Sequence, residues 1–132
     1  MRQSLQKNRK AFWLLFALIQ LSTIPLQVYF SWLMCIPLGL VLGFAFRNKI
    51  GSPFVAGFIA FSLQWIAYAA YRDAQNDSLL AARISTLFGL PDNPIYSIVL
   101  TGILGGIFMG SMVLSGFLFG KLIAPKADKG YY

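Results

Sequence analysis

Long apolar runs separated by short polar segments dominate the pattern of this chain. The last run, from Pro94 to Ala124, contains no charge before Lys121. This is typical of a transmembrane helix, which needs about 20 consecutive apolar residues. A second run without any charge covers Ala11 to Phe46. It is too long for one helix across the bilayer and short for two.

Proline marks the expected break in that second run. Pro25 lacks an amide donor and disfavours a helical conformation in the residue before it, so we predict a tight turn there, between spans near 9–24 and 27–46. Ser52 followed by Pro53 is typical of a helix start and should begin a third span near 52–71. A fourth span is predicted at 94–122. We therefore expect residues 1–132 to form one all-α integral membrane domain with four transmembrane helices.

The polar connection between the third and fourth spans has a helical pattern of its own. An apolar stripe predicts a short amphipathic helix near 78–88, ended by Gly89 and Pro91. The stripe either covers the ends of the neighbouring helices or docks a larger partner on the non-cytoplasmic side, and the pattern leaves both open. Its members are Leu80, Ile84, Leu87 and Phe88. The expected N-caps of this helix and of the last span are Asp77 or Ser78 and Asp92 or Asn93.

Small residues recur on one face of three predicted spans. Such residues let helices approach closely in lipid, where packing replaces the missing hydrophobic driving force. Because the glycines of the last span lie nearly opposite Ser97, Ser111 and Ser115, we expect that helix to lie between two others. The predicted packing residues are Cys35, Gly39 and Gly43 on the second span, Gly57, Ala60, Gln64 and Ala67 on the third, and Gly102, Gly106, Gly110, Gly116 and Gly120 on the last. The third-span face is the expected partner of the glycine face, in which Gly106 and Gly110 have GxxxG spacing.

Charge places the chain in the membrane and gives it an orientation. Charged residues make up only 11% of it, against about 25% in soluble domains. Four spans place nine of the eleven basic residues on one side, and since positive charge accumulates on the cytoplasmic side, both termini should be cytoplasmic. The bases flank apolar segments, which favours lipid contact over nucleic acid. We predict headgroup contacts for Arg9, Lys10, Arg47 and Lys49.

Little in the sequence supports catalysis. The chain has no His and no Glu, and its four Asp residues lie outside the apolar runs. Cys35 is the single cysteine. An enzyme needs a nucleophile, a base or a metal set, so we expect neither enzymatic activity nor a cofactor or metal. Gln64 either hydrogen-bonds a neighbouring helix or lines a path for a solute.

Four segments together resemble small four-helix inner-membrane proteins of Bacteroidota that have no assigned activity: KNRKAFWLLF, CIPLGLVLGFAF, NDSLLAARISTLFGLP and the glycine-rich last run. The resemblance implies a bacterial inner membrane. Because four short helices cannot easily use every small-residue face internally, we expect a non-catalytic accessory or scaffold subunit of a membrane complex, bound to a larger partner or to copies of itself. The alternative is a small homo-oligomeric channel or carrier for a neutral or weakly polar solute, lined by Gln64 and the serines.

Overall fold

A computed structural model describes residues 2–29, 32–47 and 52–123 of the chain. In these residues the secondary structure is entirely helical, with no strand, so the predicted all-α class is confirmed for them. The helices are α1 (Arg2–Tyr29), a short 3-10 segment (Trp32–Met34), α2 (Cys35–Ala45), α3 (Pro53–Gln75), α4 (Leu79–Leu87) and α5 (Pro94–Ile123).

Three of these helices are long and apolar enough to cross a membrane: the Arg9–Gln27 part of α1, and the whole of α3 and α5. α2 has only 11 residues, which gives a rise of roughly 16 Å at 1.5 Å per residue. That is about half of a typical hydrocarbon core. The second predicted span, at 27–46, is therefore much shorter as an α-helix than expected.

The predicted turn at Pro25 is wrong. α1 continues through Pro25 as far as Tyr29, and α2 begins only at Cys35. A turn placed within lipid leaves several backbone groups without water to bind, whereas a proline inside a helix removes a single hydrogen bond. The continuous helix is therefore the less costly arrangement.

Local signals define the junction between α4 and α5 as predicted. Gly89 has a φ of 71°, a conformation that L side chains rarely adopt, and α4 ends just before it. The side-chain oxygen of Asn93 accepts a hydrogen bond from the amide of Ile95 at 2.9 Å, and so caps the start of α5.

The turn before α4 differs from its prediction. Asp77 and Ser78 both have positive φ angles, 51° and 58°. Ser78 occupies the N-cap position without a capping side-chain bond, because its hydroxyl donates instead to the Asp73 carboxylate at 2.8 Å. The left-handed backbone turns the Ser78 side chain back towards the end of α3.

α5 is the central helix of the bundle and packs between α2 and α3. Gly39 lies against Met112, and Gly43 lies against Phe117, so α2 runs parallel to α5. In the α3 contact, Phe54 faces Gly110 and Ile66 faces Gly102, so α3 runs antiparallel to α5. The expectation that the last helix is enclosed by two neighbours agrees with this arrangement.

α1 completes the bundle by packing against α3 in the same direction. Gln20 contacts Ala60, and Thr23 contacts Gln64, so both residue numbers rise together along the two helices. The directions of α1, α2, α3 and α5 therefore alternate along the chain. Buried apolar side chains from four helices form the core, among them Leu15, Ile19, Cys35, Phe61, Met109 and Val113.

Candidate functional site

The interface between α3 and α5 is packed through the glycines of α5. A Cβ atom added at Gly106 would overlap the Ser62 hydroxyl and would lie 2.8 Å from a ring carbon of Phe58. At Gly110 it would lie 2.9 Å from the carbonyl oxygen of Phe54. Gly57 brings α3 towards α5 from the other side, where an added Cβ would lie 3.1 Å from the Cα of Gly110. At Gly106 and Gly110 a larger residue would therefore press on the backbone of α3, and at Gly57 it would crowd the backbone of α5.

The interface between α2 and α5 is equally close. A Cβ at Gly116 would overlap the backbone of Leu40, and one at Gly43 would lie 2.9 Å from the amide nitrogen of Phe117. A Cβ added at Gly39 would lie 2.8 Å from the Cβ of Met112. Glycine therefore allows backbone-to-backbone contact between two parallel helices.

All helical glycines that the structure describes have their contacts inside this one chain. The surplus of small-residue faces expected from the sequence is therefore not found in the described helices. Of the small residues that the sequence assigned to packing faces, two are exposed, Ala67 on α3 and Ser115 on α5. A surface that binds a partner must therefore lie elsewhere than on these small-residue faces.

The residues Ala60 and Gln64 take part in a polar contact with α1. The side-chain amide of Gln20 donates to the carbonyl of Ala60 at 2.8 Å. The buried hydroxyl of Thr23 is bonded to the side-chain oxygen of Gln64 and to the carbonyl of Ile19. Gln64 thus acts as a hydrogen-bond partner between helices, one of the two roles considered for it.

Thr23 and Gln20 were not among the predicted site residues, although the sequence contains a signal for them. Gln20, Thr23 and Gln27 are spaced by three and four residues within an otherwise apolar run, which places them on one face of a helix. Gln27 continues that face, with its amide 4.0 Å from the sulfur of Cys35 on α2. This polar stripe joins α1 to its two neighbours.

The serines of α5 have hydrogen-bond partners other than Gln64. Ser97 is buried under α4, where its hydroxyl donates to the Ala81 carbonyl at 2.8 Å. Ser111 and Ser115 donate to carbonyls one turn earlier in α5 itself, at 2.7 and 2.8 Å. The hydroxyls are therefore engaged by separate parts of the protein.

α4 turns its small side chains inward and its large apolar side chains outward. Ser85 is fully buried, and its hydroxyl donates to the carbonyl of Asn93 at 2.8 Å. Among the predicted docking residues, Ile84 is half-buried, whereas the other three are exposed. We define the α4 surface as the exposed apolar residues Leu79, Leu80, Leu87 and Phe88.

Basic residues gather at the opposite end of the bundle from α4. Arg9 and Lys10 are exposed on α1, and the register of α1 against α3 places them near the level where α3 starts. Arg47 follows α2, with its guanidinium carbon 4.7 Å from the ring centre of Phe44. Lys121 lies over the Phe117 ring at 4.5 Å. Lys49, the fourth predicted headgroup residue, lies outside the described residues.

No group of three or more His, Cys, Asp or Glu side chains that could hold a metal ion occurs in the part of the chain that the structure describes. The fold thus defines an all-helical protein with three candidate membrane spans and glycine-mediated packing around α5. Comparisons with protein-family models, with curated proteins and with solved structures give no match to this chain.

Proposed function

We propose that this chain is a non-catalytic accessory or scaffold subunit of a bacterial inner-membrane protein complex, and that it docks a larger partner through the α4 surface. Its four-helix bundle would hold α4 at the non-cytoplasmic end, with both termini in the cytoplasm. The observation that carries the proposal is the outward orientation of the large apolar side chains of α4.

Helix direction and charge support this placement in the membrane. Because α1 and α3 run in the same direction, the chain must return between them, and α2 lies on that return path. The chain then crosses the membrane four times. Because α2 is short, the bilayer would be thinner around it. The basic residues Arg9, Lys10, Arg47 and Lys121 then share one side, which the positive-inside rule makes cytoplasmic. The acidic residues Asp73, Asp77 and Asp92 lie at the other end.

The position of α4 along α5 supports a protein partner for the α4 surface. α5 has 30 residues, or roughly 45 Å of helix, which exceeds the ~30 Å hydrocarbon core. If Lys121 lies at the cytoplasmic boundary of the hydrocarbon core, the opposite boundary lies close to Thr101, about 20 residues earlier. Ala81 of α4 contacts Ser97, so α4 lies beyond the core. Large exposed apolar patches mark protein–protein or membrane interaction sites, and a position beyond the hydrocarbon core favours a protein partner.

Replacing Leu80 and Leu87 together by Gln tests the proposal. We expect the partner to be lost, because the substitution removes two of the four exposed apolar side chains that form the α4 surface. The chain would be purified from its native membrane in a gentle detergent, and the mass of its complex and the ratio of co-purifying proteins would be measured. Wild-type protein should form a larger complex of fixed ratio, and the double variant should elute alone.

Leu122→Gln together with Ile123→Gln serves as the matched control, since Ile123 is 58% exposed and Leu80 is 62% exposed. Leu122 is 83% exposed at the opposite end of the bundle, and Leu87 is 84% exposed, so the two pairs of positions lose similar apolar area. The control should keep the complex. A wild-type protein that elutes without partners, or an α4 double variant that keeps them, contradicts the proposal.

A further inference from the structure

We propose that a groove between α2 and α5, together with Arg47, binds one anionic phospholipid from the surrounding leaflet. The proposal requires that these two helices lie in the bilayer, and it is independent of any protein partner. The acyl chains would occupy the groove, and the phosphate would bind the arginine at its end.

The groove is open and almost entirely apolar. It encloses about 500 Å³ on the outer side of the contact between Leu40 and Gly116. Its single polar side chain, Ser115, already donates its hydroxyl to the Ser111 carbonyl. A lipid chain would therefore meet apolar side chains without displacing any hydrogen bond. The lining residues are Leu40, Val41, Phe44, Ser115, Gly116 and Phe119.

Arg47 is held at one end of this groove. Its guanidinium stacks over Phe44, which is itself a groove residue. Its aliphatic stem crosses α5 at Gly120, where an added Cβ would lie 2.8 Å from the Arg47 Cδ. Because Gly120 has no side chain, the stem of Arg47 can pack directly against the backbone of α5.

The charge of Arg47 lacks a counter-ion in the protein that the structure describes. Its Nε is buried without a hydrogen-bond partner, and the described acids Asp73, Asp77 and Asp92 lie at the opposite end of the bundle. An unpaired guanidinium favours an anion with several acceptor oxygens, because its planar donors match a phosphate group. The apolar groove beside it requires that this phosphate carry acyl chains.

Native mass spectrometry of the full chain in a non-ionic detergent tests the proposal. Binding of dioleoylphosphatidylglycerol would be compared with binding of dioleoylphosphatidylcholine, which has no net charge. We expect the anionic lipid to bind about fivefold more tightly, the effect of one basic residue at a membrane surface. Arg47→Gln should reduce its binding to the level of the neutral lipid, whereas Arg72→Gln, at the opposite end, should keep the preference.

Ser115→Phe tests the groove separately. Ser115 is exposed, so this variant retains the bundle even where Arg47→Gln disturbs it. The added ring should weaken binding of both lipids by filling the groove. Equal binding of the two lipids to the wild type, or an unchanged preference in Arg47→Gln, overturns the proposal. Displacement of the anionic lipid by millimolar inorganic phosphate, with no effect of Ser115→Phe, would identify a free-phosphate site and overturn it equally.

Discussion

At the scale of single residues, the clearest feature is the bond between Thr23 and Gln64. Thr23 is fully buried, and its hydroxyl is shared between Gln64 and the carbonyl of Ile19. When two membrane helices separate, such a hydroxyl still donates to a carbonyl of its own helix. The unfolded state in the membrane therefore also satisfies it. The bond to Gln64 therefore contributes orientation between α1 and α3 with a modest gain in stability.

Substituting Thr23 and Gln64 singly and together measures how much their hydrogen bond contributes to stability. Thr23→Val keeps the shape of the side chain, and Gln64→Leu removes its amide. We expect a coupling free energy of about 0.6 kcal/mol, and no more than ~1.7 kcal/mol, the range found for hydrogen bonds between membrane helices. Reversible unfolding in mixed detergent, followed by circular dichroism for the wild type and three variants, provides the cycle. Strictly additive losses would show that the two side chains do not interact.

The sequence predicted part of this contact. It predicts contact with a neighbouring helix as one of two roles for Gln64, because an amide in an apolar run needs a partner. It did not identify which helix supplies that partner, since Gln64 and Gly57 are close in angle on a helical wheel and were assigned together to α5. The pairing of Gln64 with Thr23 depends on how α1 crosses α3, and no local pattern contains that angle.

At the scale of helices, the glycines of α5 determine how closely its neighbours approach. Gly106→Ala should destabilise the bundle by about 1–3 kcal/mol, the usual effect of inserting a methyl group into a tightly packed interface. The new Cβ would overlap Ser62 and crowd Phe58. Thermal unfolding of the purified protein in detergent measures the change.

Ala67→Leu is the control for that substitution. The sequence pattern placed Ala67 on the packing face of the third span, but the structure shows it exposed. A leucine there should leave the unfolding temperature close to that of the wild type. A large loss at Ala67, or none at Gly106, would be inconsistent with this interface.

The sequence predicts well which segments form helices. It predicts less well where the helices end and which of their faces pack inward. The long runs of α3 and α5 were found with small errors because length and absence of charge define them. The end of α1 was missed because the helical preference of lipid-exposed backbone outweighs the breaking effect of Pro25. The sequence leaves the inward face of α4 open, and the hydrogen bonds of Ser85 to Asn93 and of Ser97 to Ala81 identify it. Periodicity identifies an apolar stripe but not its neighbour.

At the scale of the whole molecule, the alternating helix directions yield a labelling test of the proposed topology. In a Cys35→Ala background, cysteines would be introduced singly at Lys10, Asn76 and Lys121, all exposed positions. With four crossings, a membrane-impermeant maleimide should label only the Asn76 position in intact spheroplasts. The other two should react only after lysis. If the cysteines at positions 10 and 121 were labelled from opposite sides of the membrane, the chain would cross it three times. That result would contradict the proposed return through α2.

The central place of α5 also has a consequence for biosynthesis. Helices leave the ribosome in order, so α2 and α3 enter the membrane before the surface on which they pack has been made. Until α5 is inserted, the backbone at Gly43 and Gly57 has no glycine-rich partner, and the early helices are joined mainly through α1. Folding of the bundle must therefore follow translation of residue 120, and a ribosome stalled earlier would leave a loose set of helices for quality-control proteases to remove.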